Sequence, residues 1–302
     1  MSPHLEIHPE VRDALANKQP VVALESTVIT HGLPFPQNLE IALSLEAEVR
    51  AAGAVPATIA LVNGKMQIGL ERATLEQLAQ GGIDKVSLWN LPSLVAQGVS
   101  GGTTVAATAH IARIAGIEVF STGGLGGVHF DAFDESADLP ALARTPVVVV
   151  SAGAKSILNL PATLERFETL GVPVVGYRTS SLPAFHSPDS PYSVPSRLES
   201  PEQIAIAHRA ARSLELSHAI LVMNPTPDGI PFAKVQAWAE AANHEARRQG
   251  IHGKDLTPFL LARIAEISSG ETVRVNAILL RANAHLGGEI AVALSRMAKG
   301  ES

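Results

Sequence analysis

The stretch PVVVVSAGAKSILNL, residues 146–160, decides the fold. Four consecutive valines, Val147–Val150, predict a strand buried on both faces, as in a parallel sheet covered by helices. Four small residues, Ser151–Ala154, close the strand, and Lys155 begins an apolar segment. In open α/β sheets, ligands bind outside the carboxyl ends of the strands. A lysine placed there among small neighbours is expected to be partly desolvated. Desolvation lowers an amine's pKa and favours its neutral, nucleophilic form. This segment alone leaves two readings open. One is a covalent lysine that attacks a carbonyl or a sugar anomeric carbon. The other is a helix-start lysine that reaches water or pairs with a phosphate.

The same alternation of strand and helix extends in both directions. PVVALEST, from Pro20, reads as a strand with a polar end, and a helix opens at Pro36–Asn38 and runs through Ala51. Ala57–Val62, the turn Asn63-Gly64 and Lys65–Leu70 predict a hairpin. Further signals are a short helix at Leu75–Leu78, a strand at Lys85–Leu88, and a Gly-Gly-Thr-Thr opening, residues 101–104, to a helix at Val105–Ala115. A strand at Ile117–Phe120 runs into the glycine cluster 123–127. Beyond Lys155 come a helix, a strand at Val172–Tyr177, a helix at Pro201–Leu214, a strand at His218–Met223 and three more helices. Residues 179–197, rich in Ser and Pro, read as an ordered loop or lid. No shift in composition marks a second domain. The expectation is one α/β domain over residues 1–302, a mixed, largely parallel sheet flanked by helices (α/β/α).

Composition narrows the function. The 302 residues are 46% hydrophobic but only 4% aromatic, so Val, Ile, Leu and Ala must build the core. The net charge of −6 and the lack of a basic tract argue against a nucleic-acid partner. There is no cysteine, which removes disulfides, thiolate nucleophiles and cysteine metal sites and fits a reducing compartment. No signal peptide and no run of eighteen apolar residues stand out, so a cytoplasmic protein without membrane contact is expected.

Several residues outside residues 146–160 have the right chemistry for a site. Glu25 ends the first strand of this reading, where a carboxylate serves either as a general acid or as an exposed strand-end charge. The clusters 101–104 and 123–127 suit phosphate binding, or are plain turns with a Thr cap. Asp131, Asp134, Glu135 and Asp138 crowd one loop, giving hard oxygen ligands or a solvated acidic turn in which Ser136 or Asp138 caps the next helix. Lys85 is either a phosphate ligand, a charge that perturbs a second lysine, or an ordinary surface lysine. His31 is either a proton shuttle or a residue that braces its loop. Asn276 lies in an apolar stretch and needs a partner, a base edge or another helix.

Taken together, these segments resemble the pseudouridine-5′-phosphate glycosidase family from about residue 20 to 295. The carrying motifs include ALESTVITHGLPFPQN from Ala23, GGTTVAAT from Gly101, FSTGGLGGVH from Phe120, SAGAKSILNLPATLE from Ser151, GYRTSSLPAF from Gly176, NPTP from Asn224 and LTPFLLARI from Leu256. The resemblance implies cleavage of the C1′–C5 bond of pseudouridine 5′-phosphate to uracil and ribose 5-phosphate, through a lysine imine with ring-opened ribose. It implies Lys155 as the covalent lysine and Glu25 as the proton donor. Substrate contacts fall to Lys85, Val105, Ser136, Ala137, Asp138 and Asn276, the last toward uracil. Asp134 is implied as the ligand of one Mn²⁺ per subunit, and the assembly as a homotrimer. Two departures stand out: Leu88-Trp89-Asn90 replaces a common Arg-Asp, and the loop from Gly127 to Ser136 is short, with Phe130 where a basic residue is common. Alternatives are a class I aldolase-like lyase on another sugar phosphate or related C-nucleotide, and a sugar-phosphate binding protein without catalysis.

Overall fold

The computed structural model describes residues 3–130, 134–253 and 256–300. Its strands are β1 (Leu5–Ile7), β2 (Val21–Leu24), β3 (Val55–Val62), β4 (Lys65–Ile68), β5 (Asp84–Val86), β6 (Gly101–Thr103), β7 (Val119–Ser121), β8 (Val148–Ser151), β9 (Val174–Tyr177), β10 (Ser196–Leu198) and β11 (Ile220–Met223). They join one sheet in the order β1-β4-β3-β2-β7-β8-β11-β9-β10, with β6 paired to β3 and β5 to β6. The pairs are parallel except where β3 meets β4 and β6. The helices are α1 (Pro9–Ala16), α2 (Gln37–Ala51), α3 (Arg72–Ala79), α4 (Leu91–Gln97), α5 (Val105–Ala115), α6 (Asp138–Leu142), α7 (Leu160–Thr169), α8 (Pro201–Ser213), α9 (Phe232–Gln249), α10 (Leu256–Ile267) and α11 (Glu271–Lys299). A π-helical turn, Val28–Gly32, follows β2.

The valine run behaves as its composition predicts. Successive strand side chains point to opposite faces. Val147 and Val149 join the core with α5, α6, α7 and α9, whereas Val148 and Val150 join the core with α2, α8 and α11. Both faces are covered, which is why the run contains no polar residue. Each such fully buried side chain contributes about 1.5–3 kcal/mol relative to exposure. The α/β/α layering of a mixed, largely parallel sheet therefore stands.

Several elements escape the sequence pattern, α4 and β10 among them, and two cases bear on one end of the sheet. β1 and α1 precede the first expected strand, and β1 adds in parallel to β4 through Leu5–Met66 and Ile7–Ile68. Three residues are too few to display an alternation. The second is β6. The expected glycine opening at residues 101–104 is instead a strand, with only Thr104 left as the helix cap, its hydroxyl accepting from the Ala107 N–H. A Cβ on Gly101 would fall 2.5 Å from the Asp84 carbonyl, and one on Gly102 2.1 Å from the Thr30 hydroxyl. Those glycines serve close strand packing.

α11 is long and apolar enough to cross a membrane by length and composition, but most of that segment is buried inside the fold. Val275, Leu279, Ala284 and Ile290 face the core. Gly287 brings the helix onto β2 and β7: a Cβ there would lie 3.4 Å from Val22 and 3.3 Å from Ser121. This close seat lays α11 directly against β2 and β7.

Candidate active site

The parallel strands β2, β7, β8 and β11 are neighbours and end on the same edge. Leu24 pairs with Ser121, Ser121 with Val150, and Met223 with Ser151. Glu25, Thr122, the Ala152–Lys155 turn and Asn224 follow directly. The ladder continues into these turns: Ala152 N–H bonds the Gly123 carbonyl (3.0 Å), and Leu125 N–H the Gly153 carbonyl (3.0 Å). Lys155 N–H then bonds the Leu125 carbonyl (3.1 Å). The backbone of Lys155 is thus registered against the glycine cluster. Gly153 makes the turn possible, with φ at +92° and space for a Cβ closed by the Pro183 carbonyl at 2.1 Å.

Four charged residues from four elements meet at this edge. Lys85 of β5 lies within reach of solvent, yet its pKa is below the ordinary lysine value. Surrounding protein is the largest cause and the charge of Lys155 the second; Asp138 and Glu25 act in the opposite sense. Loss of a proton is therefore easier for the Lys85 amine than for an ordinary lysine. His31 is also lowered, first by burial and then by the charge of Lys85. Its Nδ1 lies 2.6 Å from the Thr30 hydroxyl, so it both braces the π-helical turn and neighbours Lys85. Asn90, at the departure from the family pattern, accepts from Ser87 N–H (2.8 Å) and donates to the Lys85 carbonyl (3.0 Å). It holds the Lys85 strand end in place. Its neighbour Trp89 is 78% exposed.

Asp138 corrects the reading of an acidic, solvated turn. It is buried, 6% exposed, and its two oxygens accept from Ala106 N–H (3.0 Å) and Gly126 N–H (2.8 Å). The helix terminus and the glycine cluster, both suited to phosphate, share one carboxylate from the protein. An anion there is favoured by the α5 dipole and its free N–H groups. With Ala106 and Ala107 N–H taken by Asp138 and Thr104, these contacts leave the N–H of Val105 for a ligand; the Val105 side chain is in the core. Ser136 accepts from Asp138 N–H (3.2 Å) and, with Ala137, leads into α6.

The remaining acidic residues separate. Glu135 pairs with Arg166 (3.0 Å). Asp134 is half-buried, and among the described residues its carboxylate has no hydrogen bond or ion pair. Asp131 lies outside the described residues. Among those described, no three His, Cys, Asp or Glu side chains gather as a metal site. The donor set thus fits a cation held by Asp134 and largely by water, not a protein-built cage.

Asn276 is half-buried on α11. Leu279 and Leu280 lie over Gly123, and Asn283 sits over the β7 end. Seven residues of helix, about 10 Å, carry Asn276 from there beyond the strand edge on the same stripe. Sequence reading had no role for Asn283, Thr27 or Thr122. Asn283 donates to the Thr122 carbonyl (2.9 Å) and accepts from Asn224 (3.0 Å). Thr27 and Thr122 both donate to Glu25, one to each carboxylate oxygen. Only the neighbouring positions of β2 and β7 reveal this pairing.

The segment 179–197, expected as an ordered loop or lid, is strapped to the Lys155 turn. Ser156 donates to the Ala184 carbonyl (3.0 Å), and its hydroxyl is 3.4 Å from Nδ1 of His186. Burial pushes His186 down to about 3. The folded state keeps this imidazole neutral, whereas the unfolded chain takes up a proton below about pH 6.5. Stability is therefore retained above pH 6.5 and lost as pH falls toward 3. Between pH 6.5 and 4.5 the expected loss is roughly 2–3 kcal/mol. Urea unfolding of His186→Asn should show a flatter acid dependence than the parent; an unchanged slope would assign the acid sensitivity elsewhere.

Residues 10–293 match the family model described as indigoidine synthase A like protein. A pseudouridine-5′-phosphate glycosidase of Thermus thermophilus is 57% identical, over 92% of this chain and 99% of that protein. The Escherichia coli protein of the same name is 50% identical, over 97% of this chain and 96% of its own. Among solved structures, the prealnumycin C-glycosynthase AlnA in complex with ribulose 5-phosphate superposes with a TM-score of 0.92 at 38% identity, covering 99% of this chain and all of that one. An indigoidine synthase A-like protein of Thermotoga maritima gives 0.90 at 37%, over 98% and 99% of the two chains. The chain belongs to the indigoidine synthase A-like family, among relatives that are pseudouridine-5′-phosphate glycosidases.

Proposed function

We propose that this chain reversibly cleaves the C1′–C5 bond of pseudouridine 5′-phosphate, yielding uracil and ribose 5-phosphate. The observation that carries the reading is the meeting of Lys155, Lys85, Glu25 and Asp138 at one carboxyl edge of the sheet. The relatives' name supports the substrate, and the sugar phosphate held by AlnA supports the pocket class.

A carbon leaving group explains the lysine. The Lys155 amine forms a bond to C1′ as the C1′–O4′ bond breaks and O4′ takes a proton. Uracil C5 is then protonated, and the C1′–C5 electron pair leaves with uracil. The nitrogen lone pair forms the C1′ iminium, which water hydrolyses to the aldehyde of ribose 5-phosphate and the free amine. Overall one water is consumed, and the reverse sequence builds the C-nucleotide. Glu25 supplies the proton, and Lys85, whose pKa burial and the Lys155 charge hold below the ordinary lysine value, accepts and returns one. The Val105 N–H and the Ser136–Asp138 segment contact the sugar phosphate, and Asn276 reads the uracil edge. Asp134 would hold one Mn²⁺, which supplies positive charge toward the anionic substrate. A homotrimer in the cytoplasm completes the proposal; the absence of cysteine fits a reducing compartment.

Uracil release from pseudouridine 5′-phosphate, followed with and without Mn²⁺, tests the function. Borohydride in the presence of ribose 5-phosphate should leave a ribityl phosphate on Lys155. An adduct without uracil release would point to a lyase for another sugar phosphate; the absence of both adduct and uracil release would defeat the enzyme reading.

A further inference from the structure

We infer that Thr27 and Thr122 are positioning residues that hold the Glu25 carboxylate and accommodate its change of protonation. This inference rests on the proposed role of Glu25. Each carboxylate oxygen accepts from one of the two hydroxyls, Thr122 on Oε1 and Thr27 on Oε2. The two donors come from different places. Thr27 lies two residues along, where the chain enters the π-helical turn, and Thr122 caps the neighbouring strand β7.

Thr122 is itself anchored from behind. It is 2% exposed, and its carbonyl accepts from Nδ2 of Asn283, which is 1% exposed. The same amide nitrogen lies 3.4 Å from the Gly123 carbonyl, and Oδ1 of Asn283 accepts from Asn224 at the end of β11. The chain Asn224–Asn283–Thr122–Glu25 therefore runs through hydrogen bonds from β11 across α11 to the acid. Buried amides and hydroxyls with complete partners fix a side chain better than solvent-facing ones.

Hydroxyls suit a carboxyl that gains and loses a proton. Two O–H donors favour the ionised form. When Glu25 takes a proton, its new O–H needs an acceptor on the same side. A threonine hydroxyl supplies one by turning about its C–O bond, because it both donates and accepts. A backbone N–H in the same place could not reverse. The arrangement keeps Glu25 aimed through both halves of a proton transfer without moving its backbone.

Thr122→Val keeps the shape and removes the hydroxyl. The expected result is a fall in kcat for uracil release of about 10–100-fold with KM little changed, the loss of one hydrogen bond to a charged group. The limb of the pH–rate profile that reports Glu25 should move to higher pH, because its carboxylate has lost a donor. Thr122→Ser should recover most of the loss, and Thr27→Val should move the same limb in the same direction. A merely structural role would lower the folded fraction and leave the limb where it was. Should Thr122→Val fail to fold, the Thr27→Val profile decides. Unshifted limbs in the two valine variants, beside a wild type that releases uracil, would overturn this inference alone. A wild type that neither releases uracil nor traps ribose 5-phosphate would instead remove the functional reading beneath it.

Discussion

Lys155→Ala is expected to abolish borohydride trapping of ribose 5-phosphate and to lower uracil release by at least about 10³-fold, the scale at which a covalent nucleophile is lost. The fold should tolerate the change. Lys155 is half-buried, and among the described residues its amine has no hydrogen bond or ion pair. The anchoring of the turn is by backbone, through Leu125 and Leu158. Truncation therefore leaves no orphaned buried partner, and stability should stay within about 1 kcal/mol of the parent. Chemistry and stability separate cleanly here. Turnover that survived in a folded Lys155→Ala protein would remove the lysine imine from the mechanism. Lys85 gives an internal check on the same variant. With the Lys155 charge gone, one of the two causes that lower its pKa is removed, so its titration should move upward.

Asp138→Asn is expected to be the most costly single change in this site for stability, at about 3 kcal/mol or more. The native carboxylate satisfies two backbone N–H groups at once, from the first turn of α5 and from the glycine cluster. An amide offers one oxygen. Whichever way it is placed, its NH₂ faces the other N–H, and a buried donor is left unpaired. The damage then spreads by a short route, because Gly126 adjoins Leu125, whose carbonyl receives the Lys155 N–H. Activity should fall together with stability. Asp138 also opposes the lowering of the Lys85 pKa, so the amide variant should lower that pKa further. Urea unfolding monitored by circular dichroism measures the first effect. A stability loss below about 0.5 kcal/mol would show that these two N–H groups find other partners and that Asp138 does not join the loops.

The layered fold was legible because its signals are local. Val147–Val150 is a run that only a doubly covered strand explains, and it places neighbouring valines in opposite cores. Asn63-Gly64 specified its hairpin through the backbone: both residues have positive φ, at 49° and 75°. The site was legible in its residue types and much less in its contacts. Lys155 and Glu25 stood out because charge at a strand end is visible in one dimension. The glycine clusters were legible as close approaches, but what approaches them was not. Gly101 and Gly102 accommodate their own neighbours Asp84 and Thr30, and Gly126 makes room for Ser136 and Asp138.

By itself, then, the sequence determined the alternation of strands and helices, the two-sided burial of the central strands and the polar chemistry at their carboxyl ends. Those follow from side-chain period and composition, which act over a few residues. Strand order was decided only in three dimensions. β2 next to β7 brings Thr122 to Glu25 across 97 positions, and α11 seated on those strands brings Asn283 to Thr122 across 161. Such pairings depend on crossover topology and on how closely a helix packs against a sheet. No local pattern encodes either, so the partners that hold the acid and join the loops became visible only once the chain was folded.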